Sequence, residues 1–164
     1  MVHNLTELPN LNFGFYVKQI QCSIQPSVVS LILDHYMRRP SDRDNVVGTL
    51  LGSVDGQIVD ISTCFSVPLE QDEEKKDRRV FDQEYNDKML KFHRKVNPKE
   101  DLVGLYFSGT EIDKTALQLF TYYQRLSQEK ANKQTLLAGS PLLMMIDPTM
   151  KNNSLQIKVS RRCS

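Results

Sequence analysis

Two hydrophobic periods share this chain, and where one gives way to the other the elements can be read. In "QIQCSI", Ile20, Cys22 and Ile24 alternate with Gln19, Gln21 and Ser23. That period of two predicts a half-buried strand within residues 16–24. Pro26 suits a first helical turn, and Val28, Leu31, Ile32 and Tyr36 follow it at helical spacing. Arg38 and Arg39 then fall in the last turn, where positive charge is favourable. "NVVGTLLGSVDGQIVDISTCFSVP" predicts two strands joined at Asp55-Gly56, a tight-hairpin dipeptide, with Ile61, Thr63, Phe65 and Val67 on one face of the outgoing strand.

"LEQDEEKKDRR" has mixed charge and no apolar period, which predicts a solvated loop. Helical spacing resumes through Phe81, Tyr85, Met89, Phe92 and Val96 and stops at Asn97-Pro98. "DLVGLYF" predicts a buried strand, and Asp113 the N-cap of a helix with Ala116, Leu117, Phe120 and Tyr123 or Gln124 turned inward. "PLLMMIDP" and "SLQIKVS" predict two last strands across the polar turn "TMKNN". The order predicts an α+β domain, a mixed sheet with helices packed on it. Residues 1–15 read as an N-terminal tail and 16–164 as one domain. Because the sequence stops on a strand, it reads as part of a longer protein, cut before further helices.

Composition changes this picture little. A chain of 164 residues is long enough for one real core. The net charge of +1 supplies no overall field for nucleic acid or an anionic membrane. The N-terminus lacks the basic start and apolar run of a secretory signal, and no apolar stretch is long enough for a bilayer. Three cysteines, Cys22, Cys64 and Cys163, with no CxxC pair, suggest packed or idle thiols in a reducing compartment. The expected location is the cytoplasm. Without a signal, Asn4-Leu5-Thr6 and Asn152-Asn153-Ser154 read as chance matches to the glycosylation pattern.

Candidate chemistry is thin. A catalytic zinc takes about three protein ligands and an open position. His3 falls in the tail, while His35 and His93 sit on different helices with no histidine partner a turn away. They read as helix-face histidines. There is no Gly-x-Ser-x-Gly elbow, Walker loop or Gly-x-Gly-x-x-Gly stretch. Cys64 lies mid-strand, a packed thiol rather than a nucleophile. The acidic stretch from Glu70 to Asp77 reads as a hydrated loop, or else as a dock for a basic partner. Tyr122-Tyr123 and Met144-Met145 read as core, and Arg161-Arg162 is too little to argue for RNA. One stretch is conspicuous. "GLYFSGTEID" ends a strand, turns, and opens a helix with acidic residues, where a metal hydrolase would hold ligands, yet it contains no histidine.

The segments "VVGTLLGSVDGQIVDISTCFSVP", "FHRKVNPKE" and "LVGLYFSG" together resemble the MPN (Mov34/PAD1) domain family from about Ile24 to about Val159. Its metalloprotease members carry a JAMM signature: a Glu before the first strand, a His-x-His after the V-G-x-Y strand, and a Ser-x-x-Asp opening the next helix. The histidines and Asp hold zinc, and the Glu is general base to its water. Carried over, Asn45 stands at the Glu position and Phe107 at the first His. Gly109 stands at the second His if the gap is placed later, Glu111 at the Asp, and Ser108 matches the Ser. The proline- and glycine-rich loop of active members is missing. An amide cannot serve as the base, and a phenyl ring cannot bind metal. The resemblance therefore implies no catalytic residue, no cofactor and no enzyme activity.

Within the non-catalytic branch, "GTLLGSVDG", "CFSVP" and the short "YFSGTEID" resemble the F-subunit family of eukaryotic translation initiation factor 3. This implies a scaffold in the complex's octameric PCI and MPN core, beside the MPN-type H subunit and on the small ribosomal subunit. The non-catalytic MPN subunits of the proteasome lid and the signalosome are similar alternatives, and a deubiquitinase with an altered site is a third. MPN subunits pair through helices, which points to Met89, Leu90 and Phe92 as partner contacts, in a heterodimer or a homodimer of the isolated domain.

Overall fold

The computed structural model describes residues 2–4, 21–71, 79–112, 114–129, 140–150 and 154–161. Hydrophobic runs such as "VGTLL" and "LVGLYF" are too continuous for strands with a wet face, and both become central strands covered on both sides. The strands are β1 (Val2–Asn4), β2 (Gln21–Ile24), β3 (Val47–Asp55), β4 (Ile58–Val67), β5 (Leu69–Gln71), β6 (Arg79–Phe81), β7 (Asp101–Ser108), β8 (Leu142–Asp147) and β9 (Gln156–Arg161). The helices are α1 (Pro26–Met37), α2 (Gln83–Val96) and α3 (Lys114–Glu129). Seven strands form one sheet in the order β1-β2-β4-β3-β7-β8-β9, and β5 pairs with β6 in a separate ribbon. The β2–β4 and β7–β8 pairs are parallel, and the rest of the large sheet is antiparallel. This is the expected mixed α+β sheet.

Strand alternation sorts the core into two layers. Val46, Leu50, Ile61, Cys64, Val103, Tyr106 and Met144 pack with Val28 and Ile32 of α1. Val47, Leu51, Val67, Leu105 and Phe107 pack with Leu90 of α2 and with Ala116, Phe120 and Tyr123 of α3. Gly48 belongs to the first layer by necessity: a Cβ there would run into the Tyr106 ring and the Phe65 carbonyl oxygen. Tyr106 thus lies across the strand where a side chain would otherwise stand.

Thr49 points into the second layer and would be a buried orphan without partners. Its hydroxyl donates to Asn86 Oδ1 at 2.5 Å and lies 2.6 Å from the Tyr123 hydroxyl, so β3, α2 and α3 meet at one polar point. All three residues are essentially inaccessible to solvent. Burial of such groups is tolerated only when each finds a partner.

Several expectations change. Of the strand expected within 16–24, Gln21–Ile24 is observed, and 16–20 lie outside the described residues, as does the Asp113 cap. Val2–Asn4, expected in a tail, pairs antiparallel with β2. The charged loop is bounded by strands: Leu69 and Phe81 are register partners in the ribbon, and residues 72–78 are outside the described residues. Phe81 is therefore a strand residue, against Tyr122 and Tyr123 with ring centroids 5.2 and 5.6 Å away. Asp82 caps α2 instead, its side chain accepting from the Tyr85 N–H at 2.9 Å. On α1, Leu31 is partly exposed, and on α3, Leu117 faces solvent rather than inward.

The largest correction concerns α2. Its buried residues are Asn86 and Leu90, not the series Tyr85, Met89, Phe92 and Val96. The two faces are offset by one residue, about 100° around the helix. The polar residue Asn86 holds the inward position because Thr49 requires its carbonyl, and the apolar series is turned sideways and out.

Thr49→Val should lower stability by about 1–3 kcal/mol in urea denaturation, because it strands the buried Asn86 and Tyr123 groups while conserving shape. Gly48→Ala should cost about 1–3 kcal/mol by overpacking against Tyr106.

Candidate functional site

The positions singled out at the strand ends do come together. Val47 and Phe107 are register partners at the start of β3 and the end of β7. Just beyond them the Ser108 hydroxyl accepts from the Val46 N–H at 2.8 Å, and the Ser108 N–H donates to the Val46 carbonyl at 3.0 Å. With its amide oriented to suit its neighbours, Asn45 donates to the Ser108 carbonyl at 2.5 Å and the Asp44 carbonyl at 3.3 Å. Gly109 donates its N–H to the Ile146 carbonyl at 2.8 Å, and a Cβ on it would meet the Phe107 ring and lie 3.5 Å from the Asn45 side-chain amide. Asn45, Phe107, Ser108 and Gly109 therefore form one cluster, while Glu111 is exposed in the bend that follows.

The cluster has the character of a closed seam. Phe107 is almost wholly buried in the layer beneath α2 and α3, among the side chains of the core. Ser108 is fully buried with its hydroxyl committed to the backbone of β3. Asn45 ties the chain before β3 to the end of β7. Each residue is engaged in holding two strands together, and none presents an imidazole or carboxylate to a shared point. Among the described residues, no group of three His, Cys, Asp or Glu side chains is placed to hold a metal ion.

The remaining candidates resolve in structural terms. Burial pushes the Cys64 thiol up to about 12, and burial with the Asp60 charge pushes Cys22 up to about 11. Both are packed thiols, as expected of Cys64. His93 Nε2 lies 2.9 Å from Glu100 Oε2, and Arg94 Nε donates to Asp101 at 2.9 Å, clamping the end of α2 to the start of β7. His3 is in β1. Tyr122, Tyr123, Met144 and Met145 are core residues or pack against the core.

His35 differs from the expected helix-face residue. It is half-buried, its Nδ1 2.8 Å from the hydroxyl of buried Tyr106, with the two rings edge to face. Burial lowers its pKa, Asp34 works against that, and the Arg43 charge lowers it again. No local pattern of residues signals this bond. Only the alternation along β7, which turns Tyr106 toward α1, could have suggested it.

Of the three expected contact residues, Leu90 is 1% exposed and is a core residue. The fold gives it no surface to offer. Met89 is half-buried, and Phe92 is 60% exposed. Val96, one turn on, is 76% exposed. Met89, Phe92 and Val96 follow one another at steps of three and four on the outward side of α2.

Comparison with known proteins gives this geometry a context. The family model described as JAB1/Mov34/MPN/PAD-1 ubiquitin protease matches residues 17–129. The chain is 31% identical to the F-2 subunit of eukaryotic translation initiation factor 3 from Drosophila ananassae, over 90% of this chain and 47% of that protein. It is 30% identical to the F subunit of the same factor from Dictyostelium discoideum, over 87% of this chain and 46% of that one. The Coccidioides immitis F subunit is 43% identical over 61% of this chain and 28% of its own length. The chain spans about half the length, or less, of the curated relatives it matches.

Phe107→Ala should cost about 3–5 kcal/mol in chemical denaturation, the cost of emptying an aromatic core site rather than of altering a surface. His35 makes a second prediction. Its folded pKa lies below the ordinary 6.5, so the unfolded chain takes up the proton first. Stability should therefore be full above pH 6.5 and fall as the pH drops below it. The slope of unfolding free energy against pH should be shallower below 6.5 in His35→Gln than in the parent.

Proposed function

The chain belongs to the JAB1/Mov34/MPN/PAD-1 family, and from that we propose that it is a non-catalytic member of eukaryotic translation initiation factor 3, acting in the cytoplasm by holding partners. The observation that carries the non-catalytic reading is Phe107. Where the resemblance puts a metal-binding imidazole, this chain has a phenyl ring built into its core. Asn45, at the position of the base, commits its amide to the backbone of Ser108 and Asp44. The assignment to that factor is supported by similarity to its F-type subunits from an insect, an amoeba and a fungus.

A scaffold needs a face to hold with, and α2 supplies one. The α2 helix is anchored by Leu90 and Asn86 on one side and by the His93–Glu100 and Arg94–Asp101 contacts at its end. That leaves Met89, Phe92 and Val96 as an apolar strip on a rigid element, the arrangement that receives a partner helix. The proposed partner is a second MPN protein, the H subunit, within the complex on the small ribosomal subunit.

Affinity purification of the tagged protein from its native cells should recover initiation factor 3 subunits and small-ribosomal proteins. Recovery of proteasome lid or signalosome subunits instead would refute the assignment. Phe92→Asp with Val96→Asp should abolish that recovery while leaving the thermal midpoint within a few degrees, since both side chains are largely in solvent. Leu90→Asp, by contrast, should unfold the domain. Stoichiometric zinc, or chelator-sensitive cleavage of ubiquitin chains by the purified protein, would defeat the non-catalytic reading.

A further inference from the structure

The outward side of α2 carries charge as well as apolar surface. Lys88, Lys91 and Lys95 follow one another at steps of three and four, and all are exposed. Met89, Phe92 and Val96 are the same series moved on by one residue, so the lysine row runs beside the apolar strip, about 100° around the helix. On its other flank the helix turns Asn86 and Leu90 into the core. The strip therefore has one open flank, and that flank is cationic.

The row is only partly compensated. Lys88 pairs with Glu84 at 2.7 Å, one turn back on the same helix. The carboxylates that follow the helix, Glu100 and Asp101, are held by His93 and Arg94. Among the described residues the ion pairs join other partners, and none takes Lys91 or Lys95. Exposed lysines are ordinary in themselves. These two are marked by their register with the strip, since a helix laid on Phe92 and Val96 must run past both amines.

We propose that this face of α2 takes an amphipathic helix of a different polypeptide, one whose apolar residues are bordered by Asp or Glu a turn apart, placed to meet Lys91 and Lys95. The inference rests on the reading of α2 as the holding face and adds to it the chemistry of the partner, whichever complex supplies that partner. In paired helices the charges flanking the apolar seam set partner choice and orientation. The same rule works against a second copy of this chain. Two copies of α2 packed antiparallel about a two-fold axis place like flank against like flank, lysine against lysine. Packed parallel, each row would face the flank that its partner turns into its own core. A nucleic-acid backbone would use the amines and leave Phe92 and Val96 in water. An anionic bilayer needs a broad apolar face to sink into it, and α2 offers two largely exposed apolar side chains on a helix fixed to its sheet.

The test is carbodiimide cross-linking of the tagged full chain together with the proteins it recovers from its native cells. The reagent joins an amine to a carboxylate with no spacer, so it links groups already in ion-pair contact. Mass spectrometry of the digested product should show Lys91 and Lys95 joined to Asp or Glu residues a turn apart in another polypeptide, beside apolar residues at helical spacing. Lys91→Glu with Lys95→Glu should lower recovery of that polypeptide by about tenfold, since each change replaces an attraction with a repulsion. Lys91→Gln with Lys95→Gln should lower it less. Both double variants alter solvated side chains and should keep the thermal midpoint within a few degrees of the parent. Phe92→Asp with Val96→Asp separates the two readings. If it leaves recovery unchanged, the strip is not a holding face and both fall. If it abolishes recovery while the lysine reversal does not, the strip stands and the acidic partner falls. No link from either lysine overturns the proposal, as do links only to a second copy of the chain, told apart by mixing ¹⁵N-labelled and unlabelled protein. Co-sedimentation with phosphatidylserine vesicles, with no such link, assigns the face to lipid instead. Should the lysine reversal fail to fold, the links in the parent chain decide alone.

Discussion

The pairing of β3 with β7 in the middle of the sheet is the contact on which the rest of this molecule depends. Both strands are covered on two sides, by α1 on one face and by α2 and α3 on the other. A strand in that position has no wet face on which to leave a polar group. Each central residue must be apolar, absent as a side chain, or paired. Gly48 leaves room for Tyr106, the Tyr106 hydroxyl meets His35, and Thr49 is satisfied by Asn86 and Tyr123. The helices are in turn held by the partners these strands demand. The hydrophobic effect supplies the bulk of the driving force, and the few buried polar bonds fix which face of each helix turns inward.

The same pairing closes the seam at the end of β7. Val46 and Ser108 exchange hydrogen bonds through backbone and hydroxyl, Asn45 reaches across to Ser108, and Gly109 passes on to β8. A metal centre requires several ligands that are free to turn toward one point. Here the side chains at those places are taken up by the strands themselves. Phe107 instead adds a large apolar group to the core layer under α2 and α3 and makes the position a contributor to stability.

Helix α2 shows how one buried hydrogen bond can create a surface. Were the apolar series of α2 turned inward, Asn86 would leave Thr49 and the strip would vanish into the core. With Asn86 inward, Met89, Phe92 and Val96 are displaced by about 100°, which leaves Met89 half-buried and Phe92 and Val96 outside. The opposite side of the sheet is built on a similar chain of dependence. Tyr36 supports Arg39, Arg39 ties the loop at Arg43, and the loop delivers Asn45 to the seam.

The sequence by itself determined the class of fold, the order of elements from β2 onward apart from the β5–β6 ribbon, the β3–β4 hairpin that turns at Gly56, and the absence of histidines where a family signature would place them. Those features are local: alternation, turn chemistry and residue identity carry them without knowledge of distant partners. The resemblance to the MPN family was legible for the same reason, since its glycines and strand ends sit in continuous segments. What lay out of reach depended on contacts between segments far apart in the chain. The inward face of α2 was decided by Thr49, 37 residues away from Asn86, and periodicity alone chose the wrong stripe. The ribbon of β5 and β6 hid inside a charged stretch, because two short strands gain their stability from pairing and from Phe81 against the tyrosines of α3. The bond from His35 to Tyr106 spans 71 positions. Each segment's own residues set what it prefers; the buried polar partners, met only in the tertiary structure, decide which way it faces.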